Sequence, residues 1–368
     1  MAKPLKVAVV GSVGRGRSFF RAIAANPHTV LHALCDIQEE RLRAQAAELG
    51  VRKAYTSYEE LLDKARPDCV VIGTPMPLHA PQAIVALERN IHVMSEVPAG
   101  VSYEECRALV CAARRSRAKY MMAENYCYMR SNVLVRALAH AGLFGEIYYG
   151  EGGYIHELKG LNEITKWRRK WQTGINGNTY PTHSLGPLLQ WIGQRVVAVC
   201  CAGSGHHYRD SRGDTYEIED SVTTLCRLSG GGLLDVRLDM LSNRPHNMVH
   251  YQIQGTKGCY ISPRGKGDRH LVWVADRCPD ADTWRDLEEF ADEFLPDCWK
   301  HPTDDALKAG HGGSDYFEVM DFVDAILADR EPPIGIDAAM DFTLPGLASQ
   351  ESIAKGSVWV DVPDSREW

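Results

Sequence analysis

The chain has 368 residues, of which 45% are hydrophobic and 24% are charged. At roughly 100–200 residues per domain, this length predicts two domains, and the apolar share is too high for a disordered chain. Lysine and arginine number 41 against 48 acidic residues, a net charge of −7, and no long basic run alternates with aromatics. Nucleic acid is therefore not an expected partner.

No apolar run approaches the roughly 18 residues of a membrane helix, so no membrane partner is expected. The N-terminal residues MAKPLKVAVVGSVGRG lead directly into a strand-like run and show no secretory signal. Together these features predict a cytoplasmic protein. His206 and His207 have no third ligand nearby in the sequence, so no metal site is expected.

The first 125 residues alternate between short apolar runs and segments of helical spacing. Strands are predicted at 5–10, 30–35, 69–72, 91–94 and 120–123. Helices are predicted at 17–26, 38–49 and 80–89, and after the N-cap Ser102 up to Arg115. This alternation predicts an α/β domain over residues 1–125, with a parallel sheet covered by helices on both faces.

The pattern changes after Asn125 to longer strand-like runs without regular helices between them. These runs are 147–156, 196–202, 221–228, 233–241 and 250–254, with a turn at 255–258. They predict an α+β domain over residues 126–368 with a mainly antiparallel sheet. The long acidic segment 277–313 is a functional loop or a peripheral insertion, and Ser314 is expected to cap a helix that ends at Leu327.

A glycine-rich turn follows the first predicted strand and opens the first helix. It reads Gly11-Ser-Val13-Gly14-Arg15-Gly16. Glycines there allow a tight turn and close approach to a pyrophosphate, which the helix N-terminus attracts. Val13 stands where the GxGxxG motif has its middle glycine, so Gly14 is the candidate for the close approach. The alternative is a turn without a ligand.

Asp36 ends the second predicted strand, twenty residues beyond Gly16. A carboxylate in this place binds both ribose hydroxyls and repels a 2′-phosphate, so NAD is expected rather than NADP. The alternative is a solvated aspartate. Residues 74–79 and 96–98 follow the third and fourth strands, at the edge where α/β sheets bind ligands, although His79 and Glu96 could also be plain loop residues.

These segments together resemble the glucose–fructose oxidoreductase and inositol dehydrogenase family over essentially the whole chain. The resemblance implies a Rossmann domain followed by an α+β domain with an open sheet. Sugar dehydrogenases of this family usually carry Glu-Lys-Pro after the fourth strand, and their lysine assists proton transfer. Here the triplet is Glu96-Val97-Pro98, and valine cannot carry a proton.

A narrower resemblance, to glycoside hydrolase family 109, is consistent with that valine. Members of this family are NAD-dependent glycosidases best known for acting on α-N-acetylgalactosaminides. The motifs that carry the resemblance are 95–99 (SEVPA), 124–128 (ENYCY), 150–156 (GEGGYIH), Trp167-Arg168, Gly177-Asn178, 180–187 (YPTHSLGP) and 311–313 (HGG).

The resemblance, together with the motifs above, implies two sets of site residues. The cofactor set is Gly11, Val13, Gly14, Arg15, Gly16, Asp36, Thr74, Pro75, Met76, Leu78, His79, Glu96, Val97 and Asn125. The substrate set is Glu124, Tyr154, Arg168, Tyr180, Thr182, His183 and His246. His246 stands where many relatives have a tyrosine. A homo-oligomer is also implied.

The chemistry expected of such an enzyme departs from the usual pair of carboxylates. Oxidation at C3 of the sugar makes the C2 proton acidic, a base removes it, the aglycone is eliminated, water adds, and C3 is reduced again. We assign His183 to the proton of the C3 hydroxyl and either Tyr154 or Tyr180 to the C2 proton. Packing and hydrogen bonding are the alternative roles for this Tyr-x-x-His pattern.

Residues 166–171 form a cationic and aromatic run. It is either a solvated face or a place where tryptophan stacks on a sugar and arginine binds an anionic substituent, which would allow an anionic glycoside. The family resemblance implies an N-acetylated glycoside instead. His156 is either a core histidine or a positioning one, and His311 either lines the cleft or lies in a plain loop.

The sequence therefore predicts an NAD-dependent glycoside hydrolase acting on a small glycoside. The main alternative is an NAD-dependent sugar dehydrogenase in which His183 replaces the missing lysine. A nucleotide or sugar sensor without catalysis is a third interpretation.

Overall fold

The computed structural model describes residues 3–245 and 248–368. These form two compact units that are discontinuous in sequence. Unit 1 comprises residues 3–129, Pro302–Met340 and Ser365–Trp368, and unit 2 comprises Arg130–His301 and Asp341–Asp364. The sequence division at residue 125 thus differs from the structure, because chain from the second half returns to pack in unit 1.

Unit 1 is built on a six-stranded parallel sheet with the order β3-β2-β1-β4-β5-β6. Its strands are β1 (Leu5–Val10), β2 (Thr29–Cys35), β3 (Ala54–Tyr55), β4 (Cys69–Ile72), β5 (His92–Ser95) and β6 (Tyr120–Met122). All four residues of β4 are buried, as expected where helices cover both faces of a parallel sheet. The predicted α/β domain is confirmed, and the two-residue strand β3 was missed.

Helices of unit 1 flank this sheet. The α-helices are Phe20–Ala25, Glu39–Glu48, Tyr58–Ala65, His79–Glu88, Tyr103–Arg115, Asp304–Leu307 and Ser314–Leu327, and the 3-10 helices are Arg15–Phe19, Met76–Leu78, Asn125–Tyr128, His311–Gly313 and Ser365–Glu367. Ser102 caps its helix as predicted, accepting a hydrogen bond from the backbone N–H of Glu105 at 3.1 Å.

The helix Ser314–Leu327 ends at the predicted residue but begins one residue earlier than predicted. Its N-cap is Gly313 in the left-handed conformation, with a φ of 101°. Ser314 is the first helical residue, and its hydroxyl donates to the carbonyl of His311 at 3.0 Å. Phe322 and Val323 are 2% exposed, so the apolar face of the helix is buried within unit 1.

Unit 2 contains a nine-stranded sheet with the order β14-β13-β12-β11-β7-β10-β9-β8-β15. The strands are β7 (Ile147–Ile155), β8 (Val196–Gly203), β9 (Ser221–Leu228), β10 (Leu233–Asp239), β11 (Val249–Gly255), β12 (Gly258–Ile261), β13 (Leu271–Val274), β14 (Arg285–Asp286) and β15 (Val360–Asp361). Among the strands that the structure describes in this sheet, only β7 and β10 pair in parallel, so the prediction of a mainly antiparallel sheet is confirmed. The four short strands β12 to β15 were missed because they offer too few residues for a periodic pattern.

The helices of unit 2 are mostly short. They are Arg130–His140, Lys159–Ile164, Trp167–Trp171, Thr182–Ile192, Ala291–Phe294 and Asp297–Lys300, with a 3-10 helix at Leu287–Phe290. The helix Ile336–Ala354 includes residues of both units. Segment 277–313 is therefore a series of short helices and one short strand rather than a bare loop. No helix in the described part of the chain is both long and apolar enough to cross a membrane.

One face of the sheet in unit 2 carries the helix Thr182–Ile192. In β9 and β10 buried residues alternate with more exposed ones, the pattern of a sheet that is covered on one side. Two glycines of β7 lie under the helix. A methyl group on Gly152 would come within 2.9 Å of the carbonyl oxygen of Ser184, and one on Gly150 within 3.4 Å of Leu188. These glycines let the helix approach the sheet closely.

Candidate functional site

In the glycine-rich turn of unit 1, the backbone at Gly11 and Gly16 packs directly against the backbone at Gly73, which follows β4. Gly11 has a φ of +73°, and a Cβ there would lie 2.5 Å from the carbonyl oxygen of Gly73. A Cβ on Gly73 would in turn lie 2.6 Å from the nitrogen of Gly16, and one on Gly16 would lie 2.9 Å from the carbonyl oxygen of Gly11. These three glycines are required by the fold of the turn itself.

Gly14 is different. A Cβ atom there would lie 3.6 Å from its nearest neighbour, the carbonyl oxygen of Gly11, which is an ordinary van der Waals distance. No atom among the described residues comes close enough to that Cβ position to exclude a side chain. The side-chain space is open, as expected where a phosphate group lies against the backbone. The turn therefore fits a dinucleotide, with Gly14 in the place of close approach and Val13 buried beneath it at 7% exposure.

Asp36 is held at the end of β2 by two backbone groups. Its Oδ2 accepts from the N–H of Val13 at 3.0 Å and its Oδ1 accepts from the N–H of Gln38 at 3.0 Å. Each carboxylate oxygen has a second lone pair that can accept from a ribose hydroxyl. The carboxylate is thus fixed relative to the glycine turn, which suits the role that the sequence predicts for it.

His79 makes contacts that the sequence did not suggest. The side chain is 2% exposed. Its Nε2 lies 2.8 Å from the carbonyl of Thr74 and its Nδ1 lies 2.9 Å from the carbonyl of Pro98. Burial lowers the pKa of His79, although the two carbonyls act in the opposite direction. Each ring nitrogen faces a backbone carbonyl, and the one that carries the proton in the neutral ring donates to it, so His79 connects the loops after β4 and β5. Its predicted contact with the cofactor stays a prediction.

The other predicted cofactor residues after β4 line the same loop. Thr74 and Pro75 are half-buried, Met76 is 4% exposed and Leu78 is 44% exposed. The Thr74 hydroxyl donates to Gln82 Oε1 at 2.7 Å, which attaches the loop to the following helix.

An ionic network joins the remaining predicted residues of unit 1. Arg15 Nε lies 2.7 Å from Glu96 Oε1, and its two terminal nitrogens donate to Asp315 at 2.8 and 3.0 Å. Asn125 Nδ2 donates to Asp315 Oδ1 at 3.3 Å. Val97 is buried beside Glu96 at 3% exposure. The structure therefore brings Arg15, Glu96 and Asn125 together, through Asp315, which sequence reasoning missed.

Glu124 is fully buried in unit 1. Its Oε1 accepts from the N–H of Tyr126 at 3.1 Å and caps the 3-10 helix Asn125–Tyr128. The capping contact gives Glu124 a structural role besides the predicted one toward substrate.

Unit 2 holds a compact group of aromatic and imidazole rings, called here the ring cluster: Tyr154, His156, Tyr180 and His183. The ring centroids of Tyr180 and His183 are 5.0 Å apart, those of Tyr154 and His183 are 5.1 Å apart, and those of Tyr154 and Tyr180 are 5.4 Å apart. The Tyr154 hydroxyl is 2.9 Å from His156 Nδ1. All three predicted catalytic residues therefore meet, and His156 contacts one of them.

The fold explains how the ring cluster is assembled. Tyr154 lies near the end of β7, and His183 is the second residue of the helix Thr182–Ile192 that packs on it. The backbone carbonyl of His183 accepts from the Tyr251 hydroxyl of β11. Thr182 is fully buried at the start of the same helix. The spacing of the cluster is thus set by how the helix docks on the sheet.

Arg168 makes its hydrogen bonds within its own segment. Its Nε donates to Thr165 Oγ1 at 2.9 Å and its Nη1 donates to Gln172 Oε1 at 2.8 Å. The guanidinium also lies 4.5 Å from the ring centre of Trp167. These contacts hold the side chain half-buried. His246 lies outside the described residues, so its predicted role stays a prediction.

Metal-ligating side chains do not gather into a site in the described part of the chain: no group of three or more His, Cys, Asp or Glu residues could hold an ion. His207 Nδ1 instead pairs with Asp220 Oδ2 at 2.7 Å. No helical spacing indicates Asp315 in the sequence: His311 lies four residues before it, but the residues from His311 to Gly313 are left-handed rather than α-helical.

Two family models cover nearly the whole chain. The model "Glycosyl hydrolase 109, C-terminal domain" matches residues 128–367, and the model "Oxidoreductase family, NAD-binding Rossmann fold" matches residues 5–124. Both resemblances found in the sequence are confirmed, and so is the NAD cofactor.

Curated relatives give the same result. An alpha-N-acetylgalactosaminidase of Shewanella oneidensis is 29% identical over 99% of this chain and 86% of its own length. A glycosyl hydrolase family 109 protein of Saccharopolyspora erythraea is 27% identical over 98% of this chain and 83% of its own length. Among solved structures, levoglucosan dehydrogenase in complex with NADH has a TM-score of 0.83 at 24% identity, covering 98% of this chain and all of that one. That likeness shows the shared fold.

Proposed function

Because the chain belongs to the glycosyl hydrolase 109 family, we propose that it is an NAD-dependent glycoside hydrolase that cleaves its substrate by transient oxidation at C3 of the sugar. The ring cluster carries the proposal. Tyr154, Tyr180 and His183 lie within 5.0 to 5.4 Å of one another, and tyrosine and histidine are residue types that can move protons at a sugar ring.

The reaction needs no glycosidic carboxylate pair. When bound, NAD supplies an acceptor for the hydride of C3 and a donor that returns it. With C3 as a ketone, removal of the C2 proton gives an enolate, the C1–oxygen bond breaks with its electron pair leaving on the aglycone, and water then adds across C1 and C2. The sum is hydrolysis without net oxidation.

His183 is assigned to the hydroxyl proton at C3. An imidazole can accept that proton as hydride leaves the carbon and return it as the ketone is reduced. The residue is 7% exposed, and its backbone is anchored by Tyr251. Such anchoring keeps the ring in one place through both half-reactions.

Tyr154 is assigned to the C2 proton, in preference to Tyr180. The Tyr154 hydroxyl is 2.9 Å from His156 Nδ1. As that imidazole accepts the phenol proton, the phenolate oxygen can take the proton of C2. This arrangement gives His156 a positioning role, one of the two roles that the sequence left open.

The first substrate class to examine is the N-acetylated glycosides, since a relative is an alpha-N-acetylgalactosaminidase. Arg168, held by Thr165 and Gln172, supports an anionic substituent as the second class, because a fixed guanidinium binds oxyanions well.

The test uses the protein as purified, with 4-nitrophenyl glycosides of neutral, N-acetylated and anionic sugars in deuterated water. We expect release of 4-nitrophenol, no accumulation of NADH absorbance, and deuterium at C2 of the released sugar. Accumulating NADH with free sugar would instead identify a dehydrogenase, and bound NAD with no turnover of any glycoside or sugar would identify a sensor.

Two matched variants divide the roles of the tyrosines. Tyr154→Phe should lower both nitrophenol release and C2 exchange by roughly 10²–10⁴-fold, the usual contribution of a general base. Tyr180→Phe should retain C2 exchange. Equal losses in the two variants, or hydrogen retained at C2 throughout turnover, would rule out Tyr154 as the C2 base.

A further inference from the structure

A fully buried carboxylate from the far half of the sequence lies at the centre of the ionic network in unit 1. Asp315 is 0% exposed and is the second residue of the helix Ser314–Leu327. It receives hydrogen bonds from both terminal nitrogens of Arg15, at 2.8 and 3.0 Å, and from Asn125 Nδ2 at 3.3 Å. His311 Nδ1 lies 3.0 Å from its Oδ1.

The partners of Asp315 come from separate segments. Arg15 belongs to the turn after β1, and Asn125 follows β6. Arg15 also reaches Glu96, which follows β5, with its Nε 2.7 Å from Glu96 Oε1. All three segments lie at the carboxyl ends of parallel strands, the edge where a dinucleotide binds in this fold.

We propose that Asp315 is a positioning residue for NAD, because it holds Arg15 and Asn125 in place. It would thus complete the cofactor site although it lies far beyond the nucleotide-binding motifs in the sequence. The family model for NAD binding ends at residue 124. The proposal requires that the chain binds NAD with Arg15 and Asn125 in the cofactor site, as predicted, and it is independent of which reaction the enzyme performs.

The backbone around Asp315 leaves its carboxylate one position. His311, Gly312 and Gly313 have φ values of 52°, 66° and 101°, a run of left-handed residues that brings the His311 ring back onto the helix start. On the other side, a methyl group on Gly310 would overlap Asp315 Oδ2. The carboxylate is therefore confined between a ring, a glycine backbone and a guanidinium.

Two effects of removing this charge oppose each other. Without Asp315, the Arg15 guanidinium has less negative charge near it and attracts an anionic pyrophosphate more strongly. Without Asp315, Arg15 and Asn125 also lose the group that fixes them. A bidentate pair with arginine is both strong and geometrically specific, so we expect the loss of order to outweigh the gain in attraction. The sign of the change in NAD affinity distinguishes the two effects.

The experiment measures the dissociation constant of NAD by calorimetry, on full-length protein freed of copurifying nucleotide. Asp315→Asn should raise the dissociation constant about tenfold or more, the size of a lost charge-assisted hydrogen bond. Arg15→Gln should also raise it. In the variant that carries both Asp315→Asn and Arg15→Gln, the increase in the dissociation constant should be smaller than the product of the two single increases, because Asp315 acts through Arg15.

A second variant displaces the carboxylate without removing it. Gly310→Ala should weaken NAD binding in the same direction, and it keeps the proposal testable where Asp315→Asn does not fold. The control for the helix is Asp321→Asn, which removes the charge of another carboxylate on the same helix, one that accepts from the Tyr128 hydroxyl at 3.0 Å. The control for the glycine is Gly160→Ala, where a methyl group meets nothing within 4 Å. Both controls should leave NAD affinity unchanged.

Three results would overturn the proposal. These are an unchanged dissociation constant in Asp315→Asn and Gly310→Ala, tighter binding in Asp315→Asn, or losses that multiply in the double variant. A protein that binds NAD with the expected variant pattern but hydrolyses no glycoside would refute the proposed function and leave this inference standing.

Discussion

Glu318 lies one helical turn beyond Asp315 and shares its face of the helix. The side chain is 0% exposed, and neither carboxyl oxygen has a hydrogen-bond partner among the described residues. Burial, with the charge of Asp315 added, raises the pKa of Glu318 well above its ordinary value. Asp315 differs: burial alone would raise its pKa, but hydrogen bonds from His311 and Arg15 lower it below its usual range.

The neighbouring carboxyls should therefore respond oppositely to pH. A carboxyl whose pKa is raised on folding favours the folded state below its unfolded pKa and loses that contribution as pH rises through the folded value. We expect Glu318→Gln to gain stability relative to the unaltered protein between about pH 5 and about pH 8.

Thermal unfolding at the two pH values measures this difference. Glu351→Gln, at an exposed ion pair with Lys355, is the matched control and should show no such trend. A Glu318→Gln variant whose stability difference is the same at both pH values would show that Glu318 ionises normally.

At the scale of elements, the docking of the helix Thr182–Ile192 on β7 sets the geometry of the ring cluster. Gly152 is the point of closest approach, with the carbonyl oxygen of Ser184 and Leu188 Cδ1 each 2.9 Å from a built Cβ. A methyl group there must push the helix away from the strand. Since Tyr154 is on the strand and His183 on the helix, such a shift separates two proposed catalytic groups.

Gly152→Ala should therefore cost about 1–3 kcal/mol of folding free energy, as overpacking usually does. It should also lower the turnover rate more than it lowers NAD affinity, because the displaced ring belongs to the ring cluster, which we propose acts on the sugar. Denaturant unfolding and calorimetry measure the two quantities. Gly160→Ala is the control, and a variant with wild-type stability would show that the helix has room to move.

At the scale of the whole molecule, unit 1 is completed by chain that follows unit 2 in sequence. Pro302–Met340 belongs to unit 1, and the backbone N–H of Met122 on β6 donates to the carbonyl of Ile334 at 2.9 Å. Phe322 and Val323 are buried at 2% exposure. A nucleotide-binding domain cut from the N-terminal sequence alone would expose the surface that this segment covers.

A fragment of residues 1–129 should accordingly lack a cooperative thermal transition, although it carries every strand of the parallel sheet. In the fragment, the apolar surface that Pro302–Met340 covers in the full chain stays in water, and the folding free energy that its burial supplies is lost. Circular dichroism during heating, with the full chain as the reference, measures this. A fragment that melts cooperatively near the temperature of the full chain would show that Pro302–Met340 adds little stability.

Much of the fold was predictable because strands and helices impose characteristic spacings on the hydrophobic residues of the sequence. The strand Ser221–Leu228 has the predicted bounds and the helix Ser314–Leu327 has the predicted end, since each is long enough for a regular pattern. The helix Tyr58–Ala65 and the two-residue strands β3, β14 and β15 were missed. Their segments are short, and a strand of two residues is defined by its partner rather than by its own composition.

For the site, sequence alone determined the residue types and the cofactor. Gly11, Gly14 and Asp36 could be predicted from local spacing, because turns, caps and strand ends are local in the chain. The motif around His183 was identified through the family resemblance. Only the tertiary structure decided that His79 joins two loops, that the Tyr154 ring meets the His183 ring, and that Asp315 meets Arg15 across 300 positions of sequence. Such contacts depend on which surfaces pack together, and no local pattern records a partner that is brought near only by folding.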